Sequence, residues 1–202
     1  MMFRYYGEER ERLTRILIVI NVLVYVAAGV IGGNLIVISD NILVVLGQFN
    51  YLVLRYGMYY QIFSAMFIHL NILHLGLNML WLYFLGRSVE RLFSYKDYLI
   101  IYFGGGLLGN ILTLVMFPPY TISAGASGAI FSLFGALVMF SGAFGGDVKN
   151  ALFYAMIIFL MNMGFGVNYI AHAAGLIVGL LYGYYKGKAY ARRIVYYSYS
   201  YY

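Results

Sequence analysis

The stretch SAGASGAIF, residues 123–131, places a serine among glycines and alanines at the head of an apolar run that continues to residue 144. An uncharged apolar run of about 18 residues or more is a candidate for a helix that crosses a membrane. Ser127 therefore stands where such a helix begins. The rest of the sequence decides whether this position is structural or chemical.

The composition of the chain requires a lipid environment. Hydrophobic residues make up 63% of the sequence and charged residues 10%, and the mean hydropathy is +0.82. Too little polar surface is available to cover an exterior that faces water. The apolar runs are continuous rather than alternating, which argues against a β-barrel. The sequence has no cysteine, so neither disulfides nor thiolate metal sites can stabilise the fold.

Apolar runs bounded by charged or turn residues predict an all-α fold, a polytopic membrane bundle of six helices in a single domain, residues 1–202. Residues 1–14 and the tyrosine-rich tail, residues 187–202, are expected in the cytoplasm. The connection at residues 34–59 has only short apolar runs and is expected to lie at the membrane interface or partly within it. The predicted spans are residues 15–33, 60–86, 97–117, 127–144, 149–164 and 168–186.

The basic residues predict the orientation of this bundle. Twelve of the 13 lysines and arginines fall on one side of the membrane if both termini face the cytoplasm, and only Arg55 falls on the other. The positive-inside rule then places the first residues of the second, fourth and sixth helices on the outer side. The net charge of +6 is assigned to this orientation rather than to nucleic acid, because no basic stripe is interleaved with aromatic residues.

Strongly polar residues lie within the three helices that begin on the outer side. Such groups are costly in lipid and indicate function. At 100° per residue, Asn71, His74 and Asn78 fall on one stripe of a helix, whereas His69 lies about 140° around from His74. We therefore expect His74 and Asn78 to face a common site, and His69 to face elsewhere and affect folding more than catalysis. The polar residues in question are His69, Asn71, His74, Asn78, Ser127 and His172.

Small residues recur at a spacing that lets helices approach closely. Gly105 and Gly109 lie in the third predicted helix. The sixth carries a small residue at every fourth position, at Ala171, Gly175, Gly179 and Gly183. This spacing is typical of backbone-to-backbone packing in membranes, which also brings side chains of neighbouring helices together.

Ser127 and His172 together contain the groups that nucleophilic catalysis needs. Gly125 and Gly128 allow a tight turn at Ser127, and free N–H groups at a helix N-terminus favour negative charge, as an oxyanion requires. Taken singly, Ser127 is also explained as a helix cap and His172 as an interhelical hydrogen bond. In contact, the histidine would take the hydroxyl proton and return it to the leaving amine. No acidic residue completes a triad, so packing must orient the imidazole.

Four motifs in order give the chain its resemblance to a known family. HLNILHLGLN at residues 69–78, GRSVER at 86–91, GASG at 125–128 and AHAAGLIVG at 171–179 resemble the rhomboid family of intramembrane serine proteases over nearly the whole chain. The resemblance implies that Ser127 is the nucleophile and His172 its general base and acid. It also implies an oxyanion hole formed by His74, Asn78 and the backbone N–H of Ser127. Supporting residues would be His69, Gly125, Gly128, Phe131 and Gly175.

The sequence departs from the family pattern at two places. Family members often have Trp-Arg before the second helix, where this chain has Tyr60 and Gln61. Many also have a tyrosine four residues after the nucleophile, stacked on the catalytic histidine. Here that residue is Phe131, which keeps the ring and lacks the hydroxyl, and we expect it to pack against His172.

The resemblance further implies an activity and its partners. Transmembrane segments of other proteins would be hydrolysed near their outer ends through an acyl-enzyme, in the plasma membrane and without a metal or organic cofactor. Lipid and transmembrane substrates would be the partners. Gly164 and Gly166 would hinge a gate for the substrate. Two other classes stay open, a rhomboid-like protein that binds without cutting and a transporter that uses intramembrane histidines.

Overall fold

The computed structural model describes residues 12–164 and 166–199. The described residues include a 3-10 turn, Ala65–Phe67, and a π-helical turn, Leu82–Gly86. Two short strands, β1 (Gln48–Phe49) and β2 (Ile122–Ser123), pair antiparallel. The helices are α1 (Arg12–Gly32), α2 (Asp40–Leu46), α3 (Asn50–Tyr56), α4 (Gln61–Ser64), α5 (Ile72–Trp81), α6 (Arg87–Leu92), α7 (Tyr95–Met116), α8 (Ser127–Gly145), α9 (Val148–Met161) and α10 (Tyr169–Tyr199). Of the predicted cytoplasmic ends, residues 1–11 and 200–202 lie outside the described residues.

Three of the described helices, α1, α7 and α8, are long and apolar enough to cross a membrane. They correspond to the first, third and fourth predicted spans. Helix α9 matches the fifth but has only 14 residues, and α10, with 31 residues, continues beyond the predicted end of the sixth. The helical, membrane-crossing character of the fold is thus as predicted. The count of six crossings stays a prediction.

The second predicted span, residues 60–86, is wrong in two respects: it is interrupted, and it ends too early. Residues 61–67 form α4 and the 3-10 turn, but residues 68–71 are not helical, and α5 begins only at Ile72. Asn71 ends the non-helical stretch, because its side chain accepts the N–H of His74 and its backbone pairs with Val37. An N-cap of this kind starts a helix at a point that hydrophobicity alone does not reveal. At the other end, the helix continues through the π-helical turn to Leu92.

The carboxylate of Glu90 fastens α6 to the beginning of α1. It accepts the backbone N–H groups of Leu13 and Thr14, at 2.8 and 3.0 Å, and the Thr14 hydroxyl at 2.6 Å. These N–H groups belong to the first turn of α1, which has no intrahelical acceptors for them. A buried carboxylate therefore completes that turn and joins two helices that are far apart in sequence.

Helices α8 and α10 run in the same direction and touch through their backbones. A Cβ at Gly175 would lie 1.9 Å from the carbonyl oxygen of Gly128, and one at Gly179 would lie 2.0 Å from that of Ser132. The contact recurs one turn further on, at Gly183. Steps of four on one helix match steps of four on the other, so the predicted small-residue spacing is a glycine ladder between parallel helices.

Tyr60 and Gln61, which replace the Trp-Arg pair, fasten the connection between α1 and α5. The Gln61 amide donates to the carbonyls of Val44 and Val45, at 2.8 and 3.1 Å, and its oxygen accepts the N–H of Phe49 at 2.9 Å. The Tyr60 hydroxyl also donates to Val45. These carbonyls belong to the last turn of α2, where intrahelical donors run out. An arginine has no acceptor for the Phe49 N–H, so glutamine makes one bond that the usual residue does not.

The two-stranded ribbon joins this connection to the segment that precedes Ser127. Gln48 pairs with Ser123 and Phe49 with Ile122. The all-α prediction does not include these strands. The ribbon matters for function because Ser123 lies only four residues before Ser127, so the first connection helps to position the start of α8.

The exterior of the bundle is apolar, as contact with lipid requires. Large side chains such as Leu23, Leu73 and Met161 are each more than 60% exposed. By contrast, the rings of Tyr98 and Tyr102 are fully buried. An exposed apolar surface of this extent indicates a membrane rather than water.

Candidate active site

The side chains of Ser127 and His172 are in hydrogen-bonding contact, with 2.7 Å between Oγ and Nε2. Ser127 is the first residue of α8, and Ala126 occupies the N-cap position. The hydroxyl therefore bonds to the imidazole and does not cap the helix. His172 is nearly buried, with 8% of its surface exposed. An imidazole at this distance can accept the hydroxyl proton when the oxygen attacks a carbonyl.

The parallel arrangement of α8 and α10 brings this pair together, since both residues lie in the first turns of their helices. Glycines on two helices crowd the backbone just before His172. A Cβ at Gly128 would lie 3.2 Å from the carbonyl oxygen of Ala171, and one at Gly109 would lie 2.9 Å from it. Together with Gly175, these glycines let the backbones approach closely enough for the serine to reach the histidine.

The ring of Phe131 stacks on the imidazole of His172. Their centroids are 4.4 Å apart and their planes differ by 25°. Phe131 is one turn after Ser127 and is itself held edge-on by Phe134 and Phe159. The structure thus contains the contact that the sequence predicts, and a ring face holds the imidazole where many serine proteases use a carboxylate.

We expect Phe131→Tyr to retain activity and Phe131→Ala to lower kcat roughly 10-fold, because an imidazole without its stacking partner spends less time aimed at Ser127. Steady-state cleavage and thermal unfolding, measured on the same preparations, check this. An alanine variant with native kcat and native stability would show that the ring does not orient His172.

His74 faces the same site across Gly125. Its Nδ1 accepts the backbone N–H of Leu70 at 3.4 Å, so the proton of the neutral ring sits on Nε2, which is then a donor. A Cβ at Gly125 would lie 2.9 Å from His74 Nε2 and 3.8 Å from Ser127 Oγ. Gly125 also has a φ of 127°, which disfavours any other residue. Glycine at this position keeps open the space between the two side chains.

Asn78 lies one turn after His74 on α5. Its Nδ2 donates to the carbonyl oxygen of His74 at 2.8 Å, and the residue is 6% exposed. The second hydrogen on Nδ2 remains for a ligand. His74 and Asn78 thus share one face of α5, as the helical spacing predicts.

The prediction for His69 rests on a helix that is not present there. His69 precedes α5 in the non-helical stretch, so the angle of about 140° does not apply. Its ring is 1% exposed and packs edge-on against His74, with 5.1 Å between centroids. His69 therefore supports His74 through packing.

A cavity of about 400 Å³ opens beside Ser127 and His172. Its walls come from α5, α8, α9 and the segment before α10, and they include no Asp or Glu among the described residues. Nor do the described side chains contain a group of three or more His, Asp or Glu that would hold a metal ion. The apolar part of the cavity follows α5 and α8 away from the polar end. It is lined by Leu77, Trp81, Leu85, Ile130, Phe134 and Ile158.

A second cavity, of about 20 Å³, lies behind Ser127 and is bordered by Asn110, Ser123 and Asn168. No motif or helical spacing in the sequence marks Asn110, Ser123 or Asn168 as functional. The signal for Asn168 is its position, since an asparagine directly before an apolar periodic run is a typical N-cap.

The segment between α9 and α10 contains the two glycines of the predicted hinge. Gly166 has a φ of 77°, which glycine adopts without strain, whereas Gly164 does not have a positive φ. Gly166 and Val167 line the larger cavity. A role for the segment as a hinge stays a prediction.

Comparison with known proteins identifies the source of the motifs. A model of the Rhomboid domain matches residues 56–189. The chain is 30% identical to the rhomboid protease GluP of Bacillus subtilis over 84% of its own length, and it spans 34% of that protein. It is 27% identical to rhomboid-like protease 2 of Toxoplasma gondii over 81% of its length, and it spans 62% of that protein. Both relatives are thus longer than this chain, which spans less than two thirds of each.

Proposed function

The chain belongs to the rhomboid family, and on this basis we propose that it is an intramembrane serine endopeptidase that cleaves transmembrane segments of other membrane proteins. The observation that carries the proposal is the 2.7 Å contact between Ser127 Oγ and His172 Nε2 at the edge of the larger cavity. The contact favours this function over that of a rhomboid-like protein that binds without cutting, because both chemical groups are present and correctly paired.

The proposed reaction proceeds through an acyl-enzyme. His172 accepts the Ser127 proton while Oγ attacks the scissile carbonyl, and the imidazolium then protonates the leaving amine as the C–N bond breaks. Water next attacks the ester, giving its proton to His172. The proton returns to Ser127 Oγ as the acid product leaves. Phe131 holds the imidazole in place through both halves of the reaction.

Three donors are available for the negative charge that forms on the carbonyl oxygen. They are the backbone N–H of Ser127, at a helix N-terminus, the Nε2–H of His74 and the remaining Nδ2–H of Asn78. Donors fixed before the reaction stabilise an oxyanion without reorganisation. The close approach of His74 to Gly125 supports this role, because Gly125 lies two residues before Ser127 and the His74 imidazole is therefore next to the nucleophile.

The apolar part of the larger cavity is suited to the membrane-embedded part of a substrate. Leu77 and Trp81 of α5 face it from one side and Ile158 of α9 from another. A transmembrane segment would enter between these helices and unwind at the polar end, near its outer terminus. The residues between α9 and α10, with Gly166, would move to admit it.

We further propose six crossings of the plasma membrane with both termini in the cytoplasm. The distribution of basic residues supports this topology. So does the parallel ladder between α8 and α10, because two helices that begin on one side of a membrane must run in the same direction.

With this topology, protease added outside sealed, right-side-out vesicles is expected to leave a C-terminal tag intact and to digest it only after the membrane is permeabilised. Immunoblotting of the tag provides the measurement. Digestion from the outside in intact vesicles would overturn the orientation and the placement of the site in the outer leaflet.

A panel of single-span membrane proteins, incubated with the purified chain in detergent, tests the proposed activity. Native protein is expected to cut some of them and to be labelled on Ser127 by a serine-directed phosphonate, while Ser127→Ala does neither. A transporter or a non-cleaving binding protein would show no cleavage and no labelling of the native chain.

A further inference from the structure

Asn168 makes hydrogen bonds on both sides of the candidate active site. It directly precedes α10, and its Oδ1 accepts the N–H of Ala171 at 3.0 Å. Its backbone oxygen accepts the N–H of His172 at 3.1 Å. Asn168 is therefore the N-cap of the helix that carries the histidine.

The same side chain also reaches the segment that carries the serine. Its Nδ2 donates to Ser123 Oγ at 3.1 Å and to Thr113 Oγ1 of α7 at 2.9 Å. Ser123 is paired in the ribbon four residues before Ser127. Asn168 likewise lies four residues before His172. The Ser123–Asn168 bond thus forms a second polar link between the two segments, just ahead of the Ser127–His172 contact.

The orientation of the Asn168 amide is fixed by its partners. The Ala171 N–H can only donate, so it requires Oδ1. The Thr113 hydroxyl donates to the carbonyl of Gly109 at 2.8 Å, so its oxygen offers lone pairs to Nδ2. Both hydrogens of Nδ2 are therefore used, and none remains for a substrate oxyanion.

From this geometry we propose that Asn168 is a positioning residue. It holds the nucleophile segment, residues 123–127, and helix α10 so that Ser127 and His172 stay at the distance that catalysis needs. The proposal rests on the proposed protease function and adds to it a residue that acts through Ser127 and His172. A cap alone would stabilise α10. The bonds from Nδ2 to Ser123 and Thr113 add a constraint between elements that a cap does not provide.

Two substitutions distinguish the positioning role of Asn168 from its role as the N-cap of α10. Asn168→Ser keeps a good N-cap, but its short hydroxyl cannot span to Ser123 and Thr113. Asn168→Asp also keeps the cap, and its carboxylate can accept a hydrogen bond from the Ser123 hydroxyl, so the link to the nucleophile segment persists. If Asn168 were only a cap, the two variants would behave alike.

We expect Asn168→Ser to lower kcat about 10- to 100-fold, with KM and the thermal midpoint little changed, and Asn168→Asp to retain most of the native kcat. Ser123→Ala should show the same loss as Asn168→Ser, and the double variant should lose no more than either one. Native kcat in Asn168→Ser, or losses that multiply in the double variant, would overturn the proposal.

A measurement that needs no substrate distinguishes this proposal from the proposed function. The protein has three histidines, so ¹⁵N labelling of histidine gives few signals, and the signal that moves in Ser127→Ala belongs to His172. In Asn168→Ser this signal is expected to shift toward its position in Ser127→Ala. An unchanged signal would overturn the positioning role of Asn168. An absence of cleavage and of phosphonate labelling in the native chain would instead contradict the protease.

Discussion

Replacement of either Ser127 or His172 by alanine is expected to abolish cleavage of a transmembrane substrate, with a loss on the order of 10⁶ in kcat, and the double variant is expected to be no worse than either single one. The two groups act as one unit, since the hydroxyl is a weak nucleophile until the imidazole 2.7 Å away removes its proton. Either substitution alone removes the Ser127–His172 pair, so the second substitution causes no further loss of kcat.

Ser132→Ala provides the matched control on the same helix. Ser132 is buried, and its hydroxyl has no hydrogen-bond partner within the described residues. This variant should cleave at close to the native rate. Steady-state kinetics and thermal unfolding of all four variants are the measurements. Turnover by a folded His172→Ala variant, or losses that multiply in the double variant, would disprove the dyad.

A second large effect is expected at the two side chains of α5 that face the nucleophile. His74→Ala and Asn78→Ala should each lower kcat by about 10²–10³, with KM little changed, because each removes one donor to a charge that exists only in the transition state. The losses are smaller than those at Ser127 and His172, since the remaining donors still act.

Leu73→Ala controls for changes in α5 itself, because Leu73 is 69% exposed and faces away from the site. It should be close to native in both kcat and stability. If His74→Ala and Asn78→Ala both cleave at the native rate while folded, the oxyanion is stabilised by other groups. His69→Ala should lower kcat less than His74→Ala, because His69 packs against the His74 ring and does not itself line the larger cavity.

The site is largely readable from the sequence where it depends on helix order and local spacing. Ser127 and His172 stand at the heads of two helices that begin on the same side, and small residues at every fourth position let these helices touch. Phe131 follows Ser127 by one turn, so its contact with His172 follows from helix geometry. His74 and Asn78 share a face for the same reason.

The parts that the sequence does not reveal depend on partners far away in the chain. Residues 60–86 are apolar enough to be read as one helix, but the chain leaves the helical conformation at residues 68–71, where Asn71 pairs with Val37, and α5 begins only after the Asn71 cap. Because residues 68–71 are not helical, the predicted position of His69 on the face of a helix was wrong. The bonds of Gln61 and Asn168 likewise join elements that are separated by loops, and no periodic pattern records them.

The glycine ladder should make the pair of helices α8 and α10 stiffer than the helices that surround it. Because their backbones touch at successive turns, α8 and α10 should tilt together and preserve the separation of Ser127 and His172. Helices α5 and α9 carry much of their apolar surface outward, against lipid. A change in bilayer thickness tilts helices that are free to move. Membrane thickness should therefore alter how often a substrate reaches the site far more than how fast its peptide bond is cut there.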